Sequence, residues 1–297
     1  MDLAAVEADM RQAIGARKVS EDYIAPALVE RLAVTLECEG AAPRAGAALP
    51  PTWHTIFCLQ SPVRSELGED GLPRRYDLIP PVPMQRRLFG GARLEFHAPL
   101  VIGEKVTCES ELADVKLRST AGAHLAVATL RHRFFGSAGL AVVEEQDIIH
   151  MEPIPGGAKS DAPRKAGSDI ATLPEPTWLR PLTIDSVTLF RFSALTFNSH
   201  RIHYDTPYAE SVEKLRGLVV QGKLIALALV ETVRRAAPEA EVAAFQYRST
   251  RPLYAGTPCT LAGTLDDDRS SVRLWAQDEA GAVVQTGSLV LVRPLRA

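Results

Sequence analysis

Apolar and polar residues alternate through two well-separated stretches of the chain. Arg93 to Leu112, RLEFHAPLVIGEKVTCESEL, and Phe245 to Leu265, FQYRSTRPLYAGTPCTLAGTL, both carry the period-two pattern of strands with one buried face. They also share a turn, because Pro99-Leu100 with Gly103 in the first matches Pro252-Leu253 with Gly256 in the second. Further on, LAVVEEQDII ending at Ile149 parallels AVVQTGSLVL ending at Leu291. Each half is therefore expected to end in several strands joined by hairpins. A different pattern runs from Gly222 to Arg235, GKLIALALVETVRR. There Leu224, Ile225, Leu227, Leu229, Val230 and Val233 leave almost no polar face before the last turns. A helix apolar nearly all round must be wrapped by other structure.

A curved antiparallel sheet enclosing a helix is the hot-dog arrangement. Between the two halves, Met151 to Trp178 is rich in Pro, Gly, Ala and Ser and has no periodicity, which reads as a linker. The expected architecture is α+β, a double hot dog: a degenerate unit over 1–150, a linker over 151–178 and a second unit over 179–297. In the first unit, APALVERLAVTLE from Ala25 to Glu37 is expected to play the part of the central helix.

Composition narrows the function without naming it. The 297 residues are 46% hydrophobic and 23% charged, a globular balance with ample core. A net charge of −3 offers no broad basic field for nucleic acid or a membrane surface. Cys38, Cys58, Cys108 and Cys259 stand far apart without a CxxC pair, so they read as reduced thiols in a reducing compartment rather than metal ligands. Asp2, Glu7 and Asp9 near the start argue against a secretory or transit leader. The run LIALALV is too short to span a bilayer. A cytoplasmic protein without metal or cofactor is expected.

Chemistry concentrates in FSALTFNSHRIHYDTPYA, Phe192 to Ala209, where two histidines, an asparagine and an aspartate lie among apolar residues. Polar side chains gathered like this need partners or a chemical task. The stretch FNSHRIHYD resembles the signature of the MaoC-like (hydratase 2) enoyl-CoA hydratases and dehydratases, G-D-x-N-P-x-H-x-D. It is most similar to the subgroup of mesaconyl-C4-CoA or itaconyl-CoA hydratases and mitochondrial-type 3-hydroxyacyl-thioester dehydratases. The resemblance covers both halves, since those proteins also place a degenerate hot dog before the catalytic one. Aligned on His203-x-Asp205, the catalytic histidine is matched by His203, while Asn198 stands where the family has its first aspartate. His200 falls on the family's asparagine and Arg201 on its proline.

Hydrating an enoyl thioester needs a base for water, an acid for the α-carbon and a site for enolate charge. A histidine exchanges protons near neutral pH, so His203 is the candidate for both proton tasks, with capping of the next helix as its competing role. Asn198 has an amide that cannot take a proton and is expected to orient water or substrate. Asp205 precedes Thr206-Pro207 and reads as a helix N-cap that also stands near enough to orient His203. His200 is expected to hydrogen-bond ligand or loop. Gln221-Gly222 opens the buried helix, where free N–H groups face outward and a missing Cβ admits a close approach. The resemblance implies that the Gly222 amide forms the oxyanion hole, and a tight-turn glycine is the competing reading. Substrate contacts are assigned to Arg201, Arg86, Arg87, Gln221 and His200; Arg201 reads either as a surface residue or as a cation for a ligand carboxylate or phosphate, and RRLFGGARLEF as a flexible basic segment for CoA phosphates or as a solvated turn.

The expected function is a hydro-lyase on a short enoyl- or 3-hydroxyacyl-CoA, of mesaconyl-C4-CoA or itaconyl-CoA type, working as a homo-oligomer, in particular a dimer. A 3-hydroxyacyl-ACP dehydratase, a hot-dog thioesterase and a non-catalytic acyl-CoA binder remain open at this point. The thioesterase is disfavoured because Glu231 is the only carboxylate on the central helix.

Overall fold

Ten strands pair in one antiparallel sheet in the computed structural model of the chain, which describes residues 3–38, 43–76, 78–84, 86–120, 123–152 and 173–295. The first half contributes β1 (Arg17–Tyr23), β2 (Arg86–Phe96), β3 (Lys105–Thr120), β4 (Ala123–Gly136) and β5 (Gly139–Met151). The second contributes β6 (Trp178–Thr183), β7 (Val242–Ser249), β8 (Pro258–Leu265), β9 (Ser271–Asp278) and β10 (Val283–Leu291). Their order across the sheet is β1-β3-β4-β5-β2-β7-β10-β9-β8-β6, so the two halves join edge to edge at β2 and β7. The expected linker, 151–178, lies outside the described residues over 153–172.

Five helices accompany the sheet among the described residues: α1 (Leu3–Gln12), α2 (Pro26–Thr35), α3 (Ser186–Leu195), α4 (Thr206–Ser211) and α5 (Gly222–Ala236). Helix α5 is the wrapped one. Every residue from Leu224 to Val233 is buried, as the absence of a polar stripe requires. Its apolar surface meets Phe245, Leu261, Leu274 and Leu289 of the surrounding strands in one continuous core. This is the double hot dog. No helix among the described residues is long and apolar enough to cross a membrane.

The matching turns have the same job in both halves. Gly103, at φ +98°, donates its N–H to the Ile24 carbonyl, and Gly256, at φ +79°, donates to that of Ile184. Both backbones sit where glycine alone is unstrained. The expectation for the first-half helix needs correction. Helix α2 follows the first strand and packs on α3, so its positional counterpart is α3 and not the wrapped α5. Between α2 and β2 the described residues form only short 3₁₀ turns, at Trp53–Ile56 and Arg64–Glu66. Among the described residues the first half therefore has no helix comparable to α5.

The segment RRLFGGARLEF is also not flexible. It is β2, the seam strand, paired with β5 on one side and β7 on the other. Gly91 has φ +150°, and a Cβ there would stand 2.2 Å from the Tyr247 carbonyl oxygen. The glycine is what lets the two halves approach at the seam.

Candidate active site

Helix α3 begins at Asp185, whose carboxylate accepts the Thr188 N–H at 2.8 Å, and closes with Phe197 in a left-handed conformation, φ +48°. The Asn198 N–H then returns to the Ser193 carbonyl at 2.9 Å, a helix-terminating bond that aims the next residues away from the helix axis. Asn198 Oδ1 accepts the His200 N–H at 3.0 Å. With its oxygen engaged in that turn, the asparagine has its NH₂ left to offer. A 3₁₀ turn over Arg201–His203 follows, and Asp205 caps α4 by accepting the Tyr208 N–H at 3.1 Å.

His203 is buried at the end of that turn, and its Nδ1 lies 2.7 Å from the Val219 carbonyl oxygen. A carbonyl only accepts, so Nδ1 carries the hydrogen and the Nε2 lone pair is free. The clasp is reciprocal, since the Val219 N–H donates to the Ile202 carbonyl at 2.9 Å. Burial pushes the His203 pKa down to about 4, against a smaller upward pull from the Val219 bond. His200 packs edge-on against it, ring centres 5.4 Å apart, and burial, His203 and Arg87 take its own pKa down to about 3. Both imidazoles are neutral at pH 7.

Val219 leads through Gln221 into α5. Gln221 Nε2 donates to Ser193 Oγ at 2.9 Å and to the Leu189 carbonyl at 3.2 Å, which pins the start of α5 to α3. Gly222 is the first residue of α5, where a backbone N–H has no partner within the helix. Its φ is not positive, so turn geometry does not demand a glycine. Space does: a Cβ would meet Ser249 Oγ at 2.7 Å. Behind it the fully buried Gln285 binds the Gly222 carbonyl at 3.1 Å, Ser249 Oγ at 3.2 Å and the Ala226 N–H at 3.0 Å.

These groups face one cleft of about 1130 Å³, walled by both halves. Asn198, His200, His203, Gln221, Gly222, Arg86 and Arg87 all line it. Arg201 and Asp205 do not, which leaves Arg201 in its surface reading rather than as a substrate contact. Its guanidinium holds Asp205 Oδ2 at 2.8 and 2.9 Å, reaches the Glu69 carbonyl at 3.0 Å and lies over the Tyr208 ring. Asp205 is thereby fixed as a cap. Arg86 pairs with Glu213 at 3.3 Å. Arg87 binds Asp70 at 3.1 Å and the Pro73 carbonyl, tying the 66–74 loop to β2 at the cleft's edge.

The sequence reading overlooked several residues that the fold brings to this cleft. The Val219 carbonyl, Ser249 and Gln285 act on His203 and Gly222 from remote positions in the chain, and no local pattern marks them. On the first-half wall, Ser110, His132 and Glu144 stand in register across β3, β4 and β5. Ser110 Oγ and His132 Nδ1 are 2.7 Å apart, and Glu144 Oε2 is 3.1 Å from the buried His54 Nε2. Lys223, next to Gly222, points its ammonium toward Glu144 at 4.0 Å. Burial alone would raise the Glu144 pKa, but Lys223 and His54 outweigh it and hold the carboxyl well below its usual range.

A family model described as hydroxyacyl-thioester dehydratase type 2 matches residues 52–255. Mesaconyl-C(4)-CoA hydratase of Chloroflexus aurantiacus is 38% identical over 283 residues, covering 95% of this chain and 98% of that one. Among solved structures, a MaoC-like dehydratase superposes with a TM-score of 0.69 at 16% identity, covering 96% of this chain and all of its own. A Mycobacterium tuberculosis protein described as having a double hotdog fold gives 0.56 at 14% identity, covering 94% and 96%. The last two similarities concern the fold alone.

Proposed function

This chain belongs to the hydroxyacyl-thioester dehydratase type 2 family, and from that premise we propose that it is a hydro-lyase acting on a short enoyl-CoA, of the kind its mesaconyl-C(4)-CoA hydratase relative is named for. The observation that carries the reading is the pairing, in one cleft, of a neutral histidine with a free Nε2 and the unpartnered N–H end of a buried helix. Water lies between His203 Nε2 and the Asn198 amide, and His203 takes its proton as hydroxide adds to the β-carbon. The electron pair moves onto the thioester oxygen, where the Gly222 N–H receives the charge. The imidazolium then returns its proton to the α-carbon. One water is consumed and no proton is left over. An imidazole with a pKa near 4 is fully basic in form at pH 7 and releases its proton readily, which suits the second step.

The competing thioesterase reading is weakened by Glu231, which is buried at the far end of α5 and paired with Arg234 at 2.6 Å. Following enoyl absorbance and free thiol together, with mesaconyl-C4-CoA and crotonyl-CoA, tests the assignment. Loss of absorbance without thiol is expected. Thiol release would make the protein a thioesterase, and no change in either signal would make it a binder. The same assay with an enoyl-ACP distinguishes the carrier. A cytoplasmic location is supported by the four cysteines without disulfides and is tested by fractionation; a homodimer is the expected working form, tested by sedimentation.

A further inference from the structure

Among the described residues the first half lacks a helix comparable to α5, and the cleft extends over the part of its sheet that such a helix would cover. That wall is apolar at Leu130, Phe134 and Ile148, but a polar row crosses it. Lys18, Ser110, His132 and Glu144 form a polar row, each opposite the next across β1, β3, β4 and β5. An alkyl chain laid on such a row would strip water from polar groups and return no hydrogen bonds.

Lys223 brings a cation to this wall from the second half, beside Glu144. Its only ion-pair partner among the described residues is Glu144 Oε1, and 4.0 Å is too long for a hydrogen bond. Its ammonium also lies 5.5 Å from the centre of the Phe89 ring. The side chain is about three-quarters buried, and the three donors of the ammonium make no hydrogen bond to a described residue. Glu144, almost fully buried and held from its other side by His54, anchors the lysine. The Ser110–His132 pair adds polar capacity without charge, since burial takes the His132 pKa down to about 4. Lys223 directly follows Gly222, so its ammonium is one side chain's reach from a thioester oxygen bound there.

We infer that Lys223, backed by the Ser110–His132 pair, is a specificity site that takes the second carboxylate of a short dicarboxylic acyl thioester. The inference rests on the hydro-lyase reading and deepens it. In a four-carbon dicarboxylic thioester the two carboxyl carbons are three bonds apart, so one end sits at Gly222 while the other meets Lys223, with the double bond presented to His203.

The test compares kcat/KM for mesaconyl-C4-CoA and crotonyl-CoA in the parent and in Lys223→Met. The ratio of the two is expected to fall by about 10- to 100-fold, the worth of one charge-assisted hydrogen bond. Lys223→Arg keeps most of the ratio. Ser110→Ala, which leaves the Lys223–Glu144 pair in place, lowers the ratio by a smaller factor and answers the question if the methionine variant does not fold. Equal losses on both thioesters, or none, would overturn the inference. Calorimetric binding of succinyl-CoA and butyryl-CoA, neither of which has a double bond to hydrate, separates the two claims. A succinyl preference that Lys223→Met removes upholds the carboxylate site even if the protein hydrates nothing. No preference in the parent removes the site even if hydration stands.

Discussion

His203 Nδ1 and the Val219 carbonyl oxygen, 2.7 Å apart, fix the tautomer of the candidate base by backbone alone. A carboxylate in that place would raise the imidazole pKa; a carbonyl orients the ring with less effect on its charge. Burial outweighs the small upward pull of that bond, leaving a histidine neutral down to about pH 4.

His203→Ala is therefore expected to lower kcat by at least about 10²–10⁴-fold. In the parent, kcat/KM stays level through the neutral range and falls as pH drops through about 4, where Nε2 gains its proton. A pH–rate profile of the parent and of His203→Ala checks this; an acid limb near 6.5 would mean that His203 is not desolvated in the free enzyme, and a limb that survives in the alanine variant would remove it from the role of base.

Asn198→Ala loses an orienting donor without a titrating group, so kcat is expected to drop roughly 10- to 100-fold with the acid limb unmoved. Asn198→Asp keeps an acceptor for the His200 N–H and adds a negative charge near His203. That charge favours the imidazolium, so the acid limb moves to higher pH while some turnover survives. Unchanged turnover in Asn198→Ala would leave this residue without a catalytic part.

Gly222→Ala places a Cβ at 2.7 Å from Ser249 Oγ, pushing either the helix start or the Ser249–Gln285 pair. A fall in kcat of about 10²-fold is expected, as for loss of an oxyanion donor. The double variant Gly222→Ala/Ser249→Ala removes the obstacle and recovers part of that loss. A double-mutant cycle with additive effects would show that the two residues do not compete for this space.

The two arginines give opposite expectations. Arg201→Ala breaks the Asp205 pair outside the cleft, so thermal stability falls slightly and KM is unchanged. Arg87→Ala unties the 66–74 loop, which supports the histidine turn through Ser199 Oγ on the Gly71 carbonyl and the Arg201 N–H on the Asp70 carbonyl. A drop in kcat/KM of about 10- to 100-fold is expected from the displaced turn. Steady-state kinetics and thermal melts on the two variants separate these outcomes.

Acid stability follows from the buried histidines. His132, His150 and His203 have pKa values lowered to about 4, and His200 to about 3, all chiefly by burial. An unfolded histidine titrates near 6.5, so between those values the unfolded chain binds more protons than the folded one. Their contribution to stability is complete above about pH 6.5 and is lost progressively as pH falls through about 4. Urea midpoints measured from pH 7.5 down to 4.5 should decline steadily; a flat series would mean that these imidazoles are not desolvated in solution.

Much of this protein is legible in the chain itself. The α5 helix shows in the sequence because an all-apolar run can only be stable when wrapped, and the strand pattern repeats because each half builds five strands of the same antiparallel sheet. Gly103 and Gly256 mark the same turn because no other residue adopts that backbone without strain. The cluster from Asn198 to Asp205 is visible because its polar residues are neighbours in sequence. Periodicity, however, reports only that a helix has a buried face, not which neighbour buries it, so it does not distinguish α2 as the counterpart of α3 from a counterpart of α5. Charge on a side chain likewise does not say who neutralises it. Arg201 turns to Asp205 four residues on, and Arg87 to Asp70 across a loop. The polar row of Ser110, His132 and Glu144 exists only once three strands pair in a particular register, since a shift of one residue would send those side chains to the other face. Local sequence thus determined the elements and the turn that carries the histidine. Tertiary pairing alone decided which carbonyl orients it, which glycine has no room for a Cβ, and which lysine faces the cleft.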